Sequence, residues 1–308
     1  MTKTPTMRMR KSFMTNHETF HLRYSWINKG LASIKNQSPN FDHPEAHHEL
    51  GIGINMLKSL GYWMQATKLA QFTHTPKGID NPFELTDIGK IVENNDIYLE
   101  QIGTIWLLQY EVATNRSLSP LWYWIFNISR AREFTDETLM EGLTLYLQDE
   151  SRPKLAKESI KRDIRCLKRS YIPSLGLESK GYGEDLLDCP LSELNLIKKS
   201  SARGVFTLNT GGHSTLPLDI FKYACWKYKE SQDVEKNSIS LDELRWNPGS
   251  PGRVFCLDSS DTLSRLEELH NNTEKSIRLT RSEGISRVIF EQETTSSRIL
   301  EKYYKALS

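Results

Sequence analysis

The chain has 308 residues, enough to bury a sizeable core and to hold two or three compact units. Charged residues make up 26% and aromatics 10%, which excludes an intrinsically disordered chain. Forty Lys and Arg stand against 39 Asp and Glu, so the net charge is only +1 and any nucleic-acid surface must be local.

No apolar run reaches bilayer-spanning length, and the basic start MTKTPTMRMRK lacks the apolar core of a secretory signal. The expectation is a cytoplasmic protein with no membrane partner, whose start is a flexible tail able to touch phosphate. Cys166, Cys189, Cys225 and Cys256 lie far apart and form no CxxC, which points to reduced thiols and no zinc site.

Residues 17–35 predict a first helix, with Phe20, Trp26 and Ile27 turned inward and Arg23 and Lys29 outward. A loop and a short helix follow, the helix capped by Asp42 or His43 with Pro44 in its first turn. Gly51 and Gly53 suit a tight turn. In the stretch Leu50–Leu69, Met56, Leu57, Leu60, Trp63 and Met64 recur at the spacing of one helix face. Asn55, Lys58, Ser59, Tyr62 and Gln65 fall on the other faces; none is acidic, and each can hydrogen-bond a phosphate or a base edge. This is the pattern of the second helix of a helix-turn-helix. Two extended pieces then flank a turn tipped by Lys77 and Gly78, and Thr86 opens another helix with Asp87 in its first turn. Helix, short helix, helix, hairpin, helix is the order of a winged helix-turn-helix, assigned to residues 13–95.

Residues 96–200 read as a helical unit. Trp106, Tyr110, Trp122, Tyr123, Trp124 and Phe126 point to core packing, with stacking on unpaired bases as the alternative use. Asn115 and Arg116 end one helix, Ser119–Pro120 start the next segment, and Thr135 with Thr138 opens another helix. The helix in LAKESIKRDIRCLKRSYI has the sharpest charge pattern of the chain. Ile160, Ile164, Leu167 and Tyr171 form a narrow apolar stripe; Lys161, Arg162, Arg165, Lys168 and Arg169 cover the opposite side. From Ser151 to Ile172 there are eight Lys or Arg and two acids. Phosphate neutralisation needs such a one-sided basic density, and the usual mixed-sign surface pairing is nearly absent. Residues 201–308 form a third unit, winged-helix-like, with a hairpin signal about Ser282-Glu283-Gly284. The expected fold class is mainly α with small β-wings.

There is no P-loop, no GxGxxG after a strand, no GxSxG and no HExxH. Six of the eight histidines lie at or before His74, and the segment Asp42 to Glu49 alone carries six groups able to bind a metal or move a proton. Its spacing matches no recognised metal motif, so solvent-facing helix decoration is the first reading. If the chain cleaves a phosphodiester, His43, Glu45, His48 and Glu49 are the catalytic candidates, with Mg²⁺ or Mn²⁺ as the ion that activates water.

At Phe20, Arg23, Trp26, Lys29 and Gly30 the chain resembles the opening of a bacterial family of unknown-function domains. The resemblance continues through Leu50-Gly51-Ile52-Gly53, Lys58-Ser59, Tyr62-Trp63, Phe83 to Asp87, Gly89, Trp122-Tyr123-Trp124, Ser159 to Asp163 and Leu187 to Leu191. That covers roughly the whole chain. The family is associated with DNA phosphorothioation and phage defence and includes the SspB-type DNA-nicking subunit. The resemblance implies a partner of double-stranded DNA that nicks or exposes one strand for backbone sulfur modification, beside separate sulfurtransferase-like and ATPase subunits. It carries over no catalytic residue. The DNA contacts expected from the pattern are Arg23, Lys29, Asn55, Lys58, Ser59 and Tyr62 in the first unit and Lys161, Arg162, Arg165, Lys168 and Arg169 in the second. The alternative is a non-catalytic adaptor that recruits the sulfur-transfer enzymes or regulates their operon. A scaffold that binds proteins and no DNA is a third possibility, which the near-neutral charge leaves open.

Overall fold

A computed structural model of the chain describes residues 17–36, 41, 45–72, 83–150, 156–173, 189–232, 237–272, 275–282, 285–291 and 293–307. The chain is mainly α, with small antiparallel sheets. The first stretch holds α1 (Tyr24–Lys35), α2 (Ala46–Leu50), α3 (Ile54–Ala66), the strand pair β1 (Ala70–Phe72) and β2 (Phe83–Leu85), and α4 (Asp87–Asn95). Then come α5 (Ile102–Thr114), α6 (Pro120–Tyr123) and a π-helical turn at Trp124–Ile128. After them follow β3 (Glu133–Phe134), α7 (Asp136–Asp149), α8 (Lys157–Tyr171), a 3₁₀ turn at Pro190–Leu194, β4 (Ile197–Lys199) and β5 (Phe206–Leu208). The last stretch is α9 (Leu218–Glu230), β6 (Ser238–Ser240), α10 (Leu241–Trp246), α11 (Pro251–Val254), α12 (Ser259–Asn271), β7 (Ile277–Ser282), β8 (Ile285–Phe290) and α13 (Ser296–Lys305).

Local chemistry sets many of these boundaries. The Thr86 hydroxyl accepts from the Gly89 amide and starts α4. Thr135 and Thr138 bond each other's backbone in a reciprocal cap at the start of α7. Pro120 occupies the first turn of α6, where its missing N–H costs nothing. Gly51 ends α2 in the left-handed region, at φ 60°, and turns the chain into α3. Gly89 answers a different need: a Cβ there would lie 1.9 Å from the Leu69 carbonyl oxygen, so only glycine lets α4 approach the start of β1. The predicted hairpin is present, with β7 and β8 in register up to Ser282 opposite Ile285.

The first helix begins later than its periodicity predicts. It starts at Tyr24, and residues 17–19 form a turn with Glu18 and Thr19 at positive φ. Tertiary bonds draw this segment out of helical form. Trp63 Nε1 of α3 and the Cys166 thiol of α8 both donate to the Phe20 carbonyl, at 3.1 and 3.3 Å.

The core runs along α5, whose residues from Gly103 to Ala113 are all buried. A helix apolar on every side is covered on every side. Its few polar groups must therefore find partners in the protein. Glu111, fully buried, has Lys68 Nζ 2.8 Å from one oxygen and accepts the Tyr223 hydroxyl of α9 on the other. Gln109 accepts the Tyr171 hydroxyl of α8 at 2.5 Å and donates to the Val254 carbonyl of α11 at 3.2 Å. A single turn of α5 thus binds the α3–β1 connection, α8 and the last stretch together.

The sheets follow the same pattern of distant closure. β5 is the central strand between β3 and β4, and β8 is the central strand between β6 and β7. β5 lies beyond position 200 yet completes a sheet whose other strands precede it. At the C-terminus, Tyr304 of α13 bonds Thr104 of α5 at 2.6 Å. Trp106, Tyr110, Trp122 and Phe126 are buried, as the core-packing reading expects, while Tyr123 and Trp124 are half-buried.

Glu111→Ala should cost about 1–3 kcal/mol, because it leaves the buried Tyr223 hydroxyl without its acceptor, while Lys68, 37% exposed and also donating to Thr114, stays solvated. Denaturant unfolding measures this directly. A loss below about 1 kcal/mol would show that the buried network contributes little.

Candidate nucleic-acid interface

α8 forms because KESIKRDIRCLKRSY contains neither Gly nor Pro, has Glu158 in its first turn and has Lys168 and Arg169 in its last. It stops where Ile172, held extended at φ −110° and ψ 118°, precedes Pro173. One side is fully committed to the protein: Ile160, Asp163, Ile164, Cys166, Leu167, Ser170 and Tyr171 are buried. The other side carries Lys157, Lys161, Arg162 and Arg165 in solvent, with Lys168 and Arg169 half-buried.

Pairing of these charges is more extensive than the sequence suggests. Lys161 meets Glu158 at 2.7 Å one turn back, and Lys168 meets Asp136 of α7 at 2.7 Å while standing over the Phe206 ring. Arg162 reaches only the Ser159 hydroxyl, at 3.4 Å. Arg165 and Arg169 have no ion pair among the described residues. An exposed pair such as Lys161–Glu158 is worth at most about 1 kcal/mol, so a phosphate can displace it. β4 packs on α8 and adds two exposed lysines, Lys198 and Lys199, which the helical pattern alone does not connect to this surface.

The inner side of α8 holds a buried ion pair. His17 Nε2 lies 2.8 Å from Asp163 Oδ1, both side chains being nearly inaccessible. Burial pushes the His17 imidazole down, but the Cys166 sulfur and the Asp163 carboxylate outweigh it and hold it up at about 10. Tyr62 and Trp122 lie edge-on to the imidazole at 5.6 and 6.2 Å.

The N-terminal candidates divide by burial. Asn55 is exposed at the start of α3 and Lys58 is half-buried. Three others do not face solvent, which corrects the expected surface placement. Ser59 is fully buried, and Tyr62 is 4% exposed with its hydroxyl on the Leu118 carbonyl at 3.3 Å. α3 is covered on more than one side, because residues 118–122 and the His17 segment close over the face that periodicity leaves open. Arg23 is 1% exposed, its guanidinium packed on the rings of Phe20 and Trp26 at 5.7 and 5.2 Å, so it does not point outward. Lys29 is half-buried and donates to the Leu50 carbonyl at 2.7 Å, capping the end of α2.

The His- and Glu-rich segment is not gathered into a metal site. His43 lies outside the described residues, as do the alternative cap Asp42, Pro44 of the expected first turn and the wing tip Lys77–Gly78. Glu45, His48 and Glu49 are exposed, and Glu45 and His48 approach only to 3.9 Å. His17 and His21, expected on a helix face, are buried before α1. Among the described residues no three His, Cys, Asp or Glu side chains come together as metal ligands. The described members of this segment, Glu45, His48 and Glu49, do not converge as ligands of a divalent ion. The four cysteines are buried and unpaired by disulfides.

Because His17 titrates near 6.5 when unfolded and at about 10 when folded, its stabilising charge is complete below pH 6.5 and is lost as pH rises toward 10. Thermal stability should therefore fall between pH 6.5 and 8.5, below the range of ordinary thiols. His17→Gln should flatten that slope and lower stability at pH 6.5 by about 3–5 kcal/mol. Equal slopes in the two proteins would refute the assignment.

No helix of the described residues is long and apolar enough to cross a membrane. No curated protein matches the sequence. Among solved structures, a magnesium-ion-bound SspB crystal structure superposes with a TM-score of 0.86 at 27% identity, covering 96% of this chain and 88% of that one. A second SspB crystal structure gives a TM-score of 0.84 at the same identity and coverage. The similarity thus spans the basic helix, the buried hub and the terminal hairpin alike. The family model described as "Protein of unknown function (DUF4007)" matches residues 14–304, and the chain belongs to that family.

Proposed function

We propose that this chain is a DNA-binding component of a DNA phosphorothioation and phage-defence system. It holds duplex phosphates on the outer side of α8. The observation that carries this reading is the division of α8, with its apolar residues and Asp163 inside, Lys157, Lys161, Arg162 and Arg165 outside, and Glu158 the one exposed acid of the helix. In this reading α1 to α4 act as a winged helix-turn-helix, in which Asn55 and Lys58 at the open end of α3 reach DNA. Likeness to the SspB structures and the family resemblance support the system assignment. The sulfurtransferase-like and ATPase activities belong to separate partner chains.

The reaction we propose is nicking of one strand, which opens the backbone for sulfur modification. One SspB structure carries a magnesium ion, so Mg²⁺ or Mn²⁺ is the ion to supply in a test of nicking, although the described donors of this chain do not assemble a site for it. A second reading, an adaptor without its own chemistry, is favoured by the open solvent exposure of Glu45, His48 and Glu49, which leaves them without the water-excluded setting of a catalytic site.

Two experiments test these readings. In a fluorescence anisotropy titration with a duplex, Lys161→Glu combined with Arg165→Glu should weaken binding at least about tenfold. It should also reduce the log K against log salt slope by about 2, near 0.9 for each phosphate that is no longer neutralised. Unchanged affinity and slope would remove α8 from the interface. Supercoiled plasmid incubated with Mg²⁺ or Mn²⁺, beside an EDTA control, tests nicking. Metal-dependent open circles that vanish with His48→Ala and Glu49→Ala would place the chemistry in that segment. Open circles that survive would keep the nickase and discard those residues. Binding without any open circles would favour the adaptor.

A further inference from the structure

A cavity of about 540 Å³ lies between the π-helical turn, α11 and the start of α12, within the size range of small-molecule sites. Arg130, Arg132 and Arg253 line it, with Trp246 at its mouth. Arg253 is held rigidly. Its Nε donates to the Asn127 carbonyl at 3.2 Å and an Nη to the Ser129 carbonyl at 2.5 Å, at the end of the π-helical turn. Asn127 is itself locked, donating to the Ala113 carbonyl at 2.8 Å and accepting the Gly249 amide at 2.7 Å. Irregular helical turns of this kind recur at functional sites.

The charge in this cavity is unbalanced. Burial, with Arg130 nearby, lowers the Arg253 guanidinium against the pull of Cys256. Arg130 and Arg132 are exposed, and neither has an ion pair among the described residues. Asp258, the one carboxylate among the described lining residues, is engaged in capping α12, accepting the Asp261 amide at 2.8 Å and the Ser260 hydroxyl at 2.7 Å. Three guanidiniums around one committed acid make a site for a phosphate. Trp246 supplies the second half of a ligand. It is 46% exposed, whereas Trp26, Trp63, Trp106, Trp122 and Trp226 are at most 1% exposed and Trp124 is half-buried. An indole in solvent beside arginines is a stacking platform for a flat ring.

We infer that this cavity binds one nucleotide of a single DNA strand, its phosphate on Arg130, Arg132 and Arg253 and its base on Trp246. The phosphate-plus-base chemistry comes from the cavity alone; the strand as its source rests on the DNA reading above. Leu208 of β5 lines the same cavity, and β4 of that sheet packs on α8, so one framework carries both anion-binding surfaces. The pocket would hold a nucleotide of the displaced or nicked strand while α8 holds the duplex.

The test is a titration of the full chain with a labelled ten-nucleotide oligothymidylate, a duplex, thymidine monophosphate and inorganic phosphate. Single-strand affinity should fall about tenfold in Arg130→Ala with Arg132→Ala and in Trp246→Ala, and should persist in Trp246→Phe. Duplex affinity should stay unchanged in all three, whereas the α8 charge reversal should remove it. Thymidine monophosphate displacing the strand at equal affinity would keep the nucleotide site and make the free nucleotide its ligand. Unchanged single-strand affinity in the arginine and tryptophan variants would overturn the inference and leave the α8 reading standing. Phosphate competing as well as thymidine monophosphate, with no effect of Trp246→Ala, would overturn it too.

Discussion

A carboxylate removed from water needs both a counter-charge and hydrogen bonds, and a buried amide needs partners for its donor and acceptor. On α5 these demands fall on Glu111 and Gln109, two residues apart. Lys68 and Tyr223 answer the first, Tyr171 and Val254 the second. The four partners come from four different elements or connections. Hydrophobic burial alone would let helices slide or rotate against α5, whereas these bonds accept only one arrangement. The orientation of α8 follows from it, because Tyr171 ends that helix pointing into the core.

Once α8 is oriented, its composition does the rest. The His17–Asp163 pair consumes the one acid in its middle, turning that charge inward where it cannot repel phosphate. Lys157, Lys161, Arg162 and Arg165 are left in solvent. A chain of net charge +1 thereby presents a cationic surface without being cationic overall. The arginines at the π-helical turn are a second instance of local imbalance. There the surplus arises because Arg253 is fixed to backbone carbonyls, which accept its hydrogen bonds but carry no charge to balance it.

Both surfaces sit beside short antiparallel strands that the helices close upon. β5 pairs with strands from before α7 and after α8; its own Leu208 lines the cavity, and its neighbour β4 packs on α8. This gives the interface and the pocket a shared and stiff support. Positions carried by regular elements hold polar groups more accurately than loops do.

Features that depend on neighbouring residues were legible in the sequence. The caps at Thr86 and Thr135, Pro120 in its first turn, the β7–β8 hairpin and the two-sided character of α8 all follow from spacing and side-chain chemistry. Periodicity names the side of a helix that must be buried, but it does not forbid burial of the others. Arg23, Ser59 and Tyr62 show that limit, since the residues that cover them arrive from elsewhere in the chain. The late start of α1 has the same origin, in bonds from Trp63 and Cys166. The cavity was not legible at all, because Arg130 and Arg132 are separated from Trp246 and Arg253 by more than a hundred positions. By itself the sequence determined the capped starts of α4 and α7 and which stretch is basic, because those depend on contacts within a turn or two. Only the tertiary structure decided which polar groups reach solvent, because that depends on what the folded chain lays over them.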